Sequence, residues 1–123
     1  MRETIQSKLE ELTSVQSGKV IADDIVVENT TYFGYNLNTN FVNRDFDKNT
    51  TYRVNIIGYV VRLVEPSENT QLIVDTATID IINKLKELNF RCNSQDITYT
   101  DDLIKTQITG YTEYNEINNE FIV

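Results

Sequence analysis

The chain has 123 residues, of which 40% are hydrophobic and 24% are charged, and its formal net charge is −8. This length and composition are usual for one globular domain, so we predict a single domain over residues 1–123. The excess of acidic residues argues against nucleic acid and against an anionic membrane surface as partner, because proteins bind both of these through Lys and Arg.

Cysteine content and hydropathy indicate the compartment. Cys92 is the single cysteine, which excludes an internal disulfide and favours a reducing compartment. The opening residues, MRETIQSKLEEL, contain no apolar core of signal-peptide length. No stretch approaches about 18 continuous apolar residues, so we predict no membrane span.

The first predicted element is an N-terminal helix over residues 1–16. Ile5, Leu9, Leu12 and Val15 recur at helical spacing and form one apolar stripe. The pair Ser17-Gly18 is the predicted stop, because glycine readily adopts a left-handed cap. A strand rich in Val and Ile is predicted next, over residues 19–29, with an interruption at Asp23-Asp24.

An aromatic region follows. Residues 31–37 predict a strand, and residues 38–50 predict a long loop or the end of an extended hairpin. Five aromatic residues lie among polar ones: Tyr32, Phe33, Tyr35, Phe41 and Phe46. Exposed rings provide a large contact area at small entropic cost, so we predict that these five form an interface with other subunits or with a partner. The alternative left open is that the rings pack in the chain's own core.

The middle of the chain predicts a long strand over residues 51–64. Its second half, IIGYVVRLV, is apolar on both faces except at Arg62, which favours a central or covered strand. Its length exceeds the typical strand of about five or six residues, and this favours pairing in an oligomer.

A central amphipathic helix is predicted after Pro66, with Ser67 as its N-cap and Asn89 as its left-handed stop. We expect it to pack on one face of a sheet. The residues predicted to face the sheet are Leu72, Thr76, Ala77, Ile79, Ile81, Ile82, Leu85 and Leu88.

The remainder predicts closing strands at residues 96–100 and 103–117, with a turn at Asp101-Asp102, and a short last strand or tail after Asn118-Asn119. The predicted class is therefore α+β. It has a mixed or antiparallel sheet, an N-terminal helix and a central helix packed on one face.

Catalytic patterns are absent from the sequence. Without histidine, Ser-His and Cys-His pairs are impossible. Arg91 could lower the pKa of Cys92, but we favour an ordinary cysteine after a helix. The Asp23-Asp24 and Asp101-Asp102 pairs would point to opposite strand faces. Residues 43–49 lack the Gly and Glu of a calcium loop. We predict no catalytic, cofactor-binding or metal site, and no enzyme.

Three stretches carry a family resemblance: YRVNIIGYVVRLV, TIDIINKLKELNFRC and DLIKTQITGYTEYN. In the last, Ile108, Gly110, Tyr111 and Tyr114 form a polar closing-strand pattern. Together these stretches resemble the tail terminator proteins of long-tailed phages and phage-tail-like bacteriocins. The resemblance implies a ring, hexameric by expectation, that caps the tail tube and ends polymerisation. In a contractile tail the ring also meets the last sheath ring.

The same resemblance implies the partners and the location. The partners are further copies of the chain, tail tube and sheath proteins, and a neck or connector protein, with no cofactor. The protein would be found in a virion or phage-tail-like particle assembled in the host cytoplasm. Genome DNA could pass through the ring, where acidic residues would repel it. The alternatives are another neck or head–tail connector protein, or a small non-enzymatic binding domain that uses residues 32–46.

Overall fold

The computed structural model describes residues 1–19, 28–44, 50–99, 102–116 and 118–122. Two helices and six strands lie within them. In chain order these are α1 (Arg2–Glu10), β1 (Val15–Lys19), β2 (Thr31–Arg44), β3 (Thr50–Leu63), α2 (Thr70–Lys86), β4 (Arg91–Tyr99), β5 (Leu103–Asn115) and β6 (Glu120–Ile122). The strand predicted over residues 19–29 falls almost entirely outside the described residues.

All six strands belong to one mixed sheet. The strand order is β1-β2-β3-β5-β4, and β6 pairs with β5 beyond the end of β4. β1 pairs with β2 in parallel, whereas the other pairs are antiparallel. The predicted α+β class, with an N-terminal and a central helix, is confirmed.

The core lies between one face of the sheet and the two helices. Alternate residues of β3 and β5 point toward the helices, as the period of two in a strand requires. The fully buried side chains include Ile5, Leu9, Phe33, Val54, Ile56, Val60, Val74, Ile81, Leu85 and Ile108. These side chains form one contiguous cluster, so both helices cover the same sheet face.

The first helix is shorter than predicted. α1 ends at Glu10, a turn follows, and Val15 begins β1. Ile5 and Leu9 are buried as predicted, but Gly18 lies within β1 and does not cap the helix. Val15 is 5% exposed and lies opposite Thr31 in the β1–β2 pairing. This strand pairing and burial outweigh the weak helical preference of the Thr, Ser and Val residues that precede Gln16.

The predicted long loop is largely strand. β2 continues to Arg44, and its pairing with β3 extends to Arg44 opposite Thr50, with a bulge between Phe41 and Asn43. The extended-hairpin alternative is therefore confirmed for residues 38–44. β3 spans 14 residues and pairs with β5 along its length, so it occupies the predicted central position.

Helix α2 begins later than predicted, and the set of side chains that it buries differs from the predicted set. Asn69 is its N-cap, because the Asn69 side chain accepts a hydrogen bond from the Leu72 backbone N–H at 3.1 Å. Ser67 lies in the preceding turn. Leu72 is 60% exposed and Ile79 is 59% exposed, so the part of the predicted stripe that contains them was wrong. The buried residues of the helix are Thr70, Val74, Ala77, Thr78, Ile81 and Leu85.

Helix α2 carries two interleaved series of apolar residues on different sides. Only the packing of the helix on the sheet decides which series is buried. Ile81, Leu85 and Leu88 belong to the buried series, as predicted. The helix ends as predicted, with Asn89 in the left-handed region at φ 64.

Arg62, the charged exception in the second half of β3, anchors a partly buried polar network. Its Nε and Nη2 atoms donate to the two carboxylate oxygens of Glu68, each at 2.9 Å. Its Nη1 atom donates to Thr31 Oγ1 at 2.9 Å, and Thr70 Oγ1 donates to Glu68 at 3.1 Å. This bidentate pair joins β2, β3 and the start of α2.

The pair predicts a pH dependence of stability. The hydrogen bond from Arg62, followed by that from Thr70, holds the pKa of Glu68 below its ordinary value of 4.5. A carboxyl whose folded pKa is lowered adds stability above the unfolded pKa, and this is lost as pH falls through the folded pKa. Glu68→Gln should therefore cost most near neutral pH, and its cost should shrink on acidification. Urea unfolding from about pH 7 to about pH 3 measures this.

Arg62→Met serves as the partner control, because it removes the donor that lowers the pKa of Glu68. Its cost should decline over the same acidic range. Parallel loss of stability in the wild type and in Glu68→Gln across the whole range would contradict the assignment.

Candidate functional site

The sheet face opposite the helices is the main exposed feature of the described structure, and we call it the open face. Residues that lie directly opposite in antiparallel strands share a face, so the register places them together. Among the described residues neither helix packs against it. Its main side chains are Tyr32, Asn36, Arg53, Asn55, Ile57, Tyr59, Arg91, Asn93, Lys105, Gln107, Thr109, Tyr111 and Glu113.

An aliphatic and aromatic strip runs along the open face. Ile57 is 41% exposed in the central strand, where a large aliphatic side chain would ordinarily be covered. The next outward residue, Tyr59, accepts a hydrogen bond from Gln107 at 3.2 Å, and Lys105 Nζ lies 4.5 Å from its ring centroid. These contacts hold the ring in place and leave it half-buried.

Guanidinium groups concentrate at one end of the open face. The Arg53 guanidinium lies 4.0 Å from the Tyr111 ring centroid, a cation–π contact. Arg91 lies opposite Tyr111 in the β4–β5 pairing, and Glu113 lies opposite Arg53. These residues line a depression of about 310 Å³. Arginines of this kind bind carboxylates well, because their planar donors match the two carboxylate oxygens.

The charge of the open face differs in sign from that of the whole chain. Its described side chains include three basic residues, Arg53, Arg91 and Lys105, and two acidic residues, Glu113 and Glu120. The chain as a whole carries a net charge of −8. The described part of the open face therefore has a small net positive charge, in contrast to the chain as a whole, and this favours an acidic partner surface.

The five predicted interface aromatics separate into three groups. Tyr32 is half-buried on the open face. Phe33 is 0% exposed and Tyr35 is 9% exposed, and their rings stack in the core with centroids 5.5 Å apart. These two follow the alternative of packing in the chain's own core. The Phe41 side chain and the whole of Phe46 lie outside the described part, so their interface role stays a prediction.

Apart from Tyr32, the open-face residues were not predicted as a site. The signal was present in the alternation of β3, where Arg53, Ile57 and Tyr59 fall on the same face. Which of the two faces the helices cover depends on chain connections across the sheet, and strand periodicity does not report this.

The Cys92 thiol is less reactive than a cysteine whose pKa is lowered by a neighbouring arginine would be. Burial raises the pKa of the Cys92 thiol to about 11, and the smaller opposing influence comes from Lys86 rather than Arg91. The structure therefore agrees with the favoured interpretation of an ordinary cysteine after a helix, and it gives no support to a pKa lowered by Arg91. The thiol packs beside Gly110 at the edge of the core, and a thiol with so high a pKa is a weak nucleophile near neutral pH.

Several of the residues that were considered as acidic or metal sites lie outside the described part of the chain. Asp23-Asp24, Asp101 and most of residues 43–49 are not among the described residues. In the described part, no three His, Cys, Asp or Glu side chains are placed to hold a metal ion. Neither described helix has the length and hydropathy needed to cross a membrane. No protein-family model matches this chain, and no curated protein matches it significantly.

Proposed function

We propose that this protein is a structural subunit that assembles with copies of itself into a ring, and that the ring caps a phage-type tail tube. The open face is the observation that carries the proposal. A sheet with helices on one side and, on the other, an exposed Ile57 with Tyr59 and Tyr111 on the same face has the composition of an interaction surface. Tyrosine and arginine are the residue types most enriched where binding energy concentrates.

Two further features support an assembling subunit. β2 and β3 each span 14 residues, so the sheet is long enough to present contact surface to more than one neighbour. The sequence resemblance to tail terminators rests on β3, α2 and β5, which form the central strands and the covering helix. A terminator ring works through surfaces that stop tube growth and receive the head or neck, so it needs no reacting group.

The solution mass tests this function. Light scattering over a range of concentrations, with and without a tail-tube protein encoded near the same gene, should detect a closed species. The expected mass is near six times 14.2 kDa, reached alone or upon addition of tubes. A closed ring should reach a plateau in mass as concentration rises, because closed point-group symmetry leaves no free interface.

A strictly monomeric chain that never associates with tube or sheath protein would contradict the proposal. That outcome would favour a small binding domain that uses the open face for a different partner. A ring that forms but binds connector protein instead of tubes would favour a neck role.

A further inference from the structure

We infer that the open face of one copy receives the outer surface of helix α2 from the next copy, in a head-to-tail contact. This inference rests on the proposed self-assembly and names the two surfaces that carry it. Both surfaces are exposed on the same chain, they differ from each other, both carry exposed apolar side chains, and their charges are complementary.

The outer surface of α2 is apolar and acidic. Leu72 is 60% exposed and Ile79 is 59% exposed, the two highest values among the large hydrophobic side chains that the structure describes. They are seven residues apart, which places them on the same side of the helix about 10 Å apart. Asp75 is exposed between them. From Thr70 to Asn83 the helix carries Asp75 and Asp80 and no basic residue.

The open face offers the matching groups. Ile57 and the tyrosine rings can cover the two aliphatic side chains of the helix, because burying apolar surface from both partners is the main favourable term in association. Arg53 and Arg91 lie at one end of the same face and can receive the Asp75 carboxylate. The contact would add a helix to the uncovered side of the sheet, so that each sheet becomes covered on both faces.

Charge argues against the symmetric alternative. If two open faces packed against each other, two surfaces of the same net positive charge would meet, and this repulsion opposes association. A contact between two different surfaces is heterologous, and it closes into a ring when the rotation between neighbours allows it. The same geometry therefore accounts for a ring rather than a simple dimer.

Two single variants test the pairing. Ile57→Glu disables the open face, and Ile79→Glu disables the outer surface of α2. Each protein should remain folded by circular dichroism, because both side chains are exposed, and each should be monomeric by light scattering. Mixed in equal amounts, they retain one intact pair of surfaces. The mixture should therefore form a species of about twice 14.2 kDa that does not grow further.

Thr109→Glu provides a second way to disable the open face, since Thr109 is exposed opposite Ile57 and a carboxylate there would repel Asp75 of the incoming helix. Asp75→Arg should weaken self-association about tenfold through lost charge attraction, equivalent to about 1.4 kcal/mol. Glu3→Arg makes the same charge change at an exposed position of α1, and it should leave the strength of self-association unchanged.

The outcomes separate the two proposals. A wild type that assembles while the mixed variants stay monomeric, or while either single variant assembles normally, overturns the helix-to-sheet contact and leaves the ring function standing. A wild type that is monomeric under all conditions overturns both.

Discussion

Replacing Gly58 with alanine should lower the free energy of unfolding by about 3 kcal/mol, at the upper end of the usual cost of overpacking. Gly58 lies in β3 opposite Tyr35, on the side of the sheet that faces the helices. A Cβ atom there would lie 2.5 Å from Phe33 Cε1 and 2.8 Å from Tyr35 Cβ. Phe33 is completely buried, so the ring can move only by displacing other core side chains.

Gly18→Ala is the matched control, because it makes the same change in a strand where a Cβ atom meets nothing within 4 Å. It should be neutral or slightly stabilising, since alanine restricts the unfolded chain. Urea unfolding measures both variants. Adding Phe33→Leu to Gly58→Ala should cost less than the two separate losses summed, because the smaller side chain relieves the clash. Equal midpoints for Gly58→Ala and Gly18→Ala would show that the core accommodates the methyl group.

The second large effect is expected on helix α2. Ile81→Ala should lower the free energy of unfolding by about 3–4 kcal/mol, because Ile81 is 0% exposed and its loss leaves a cavity beneath the helix. Ile79→Ala makes the same chemical change two positions earlier on the same helix. Ile79 is 59% exposed, so its change should stay within about 0.5 kcal/mol.

The matched pair isolates burial, because both substitutions have the same effect on helix propensity and on side-chain size. Unfolding should be followed at low protein concentration, where self-association contributes little to stability. The result would oppose the described orientation of α2 if Ile79→Ala were the more costly change. Similar losses at both positions would mean that the helix buries the two series equally.

Much of the fold could be predicted from local pattern. The long central strand has alternating residues and ends before Pro66, and these local signals place β3 to within a residue. Asn89 stops α2 because asparagine tolerates the left-handed conformation. By contrast, the end of α1 was misplaced, because Val15 fits a helical stripe and a strand equally well. Its parallel pairing with β2, distant in sequence, decides between them.

The candidate site depends on tertiary structure to a greater degree. Phe33 and Tyr32 are adjacent in an aromatic segment, yet one is buried in the core and the other lies on the open face. Successive strand residues always alternate in this way, but the identity of the covered face follows from where the helices cross. The guanidinium cluster also could not be predicted from short-range sequence patterns, because Arg53 and Arg91 come together only through the pairing of β3, β5 and β4.

By itself, then, the amino-acid sequence determined the class, the order of most elements and the absence of histidine chemistry, since these depend on residue type and short-range spacing. The tertiary structure alone decided which of two apolar series on α2 is buried. It also decided which sheet face is left uncovered and that Arg53 and Arg91 come together there. Those three properties depend on contacts between residues far apart in the chain, where burial of large apolar surface outweighs local preference.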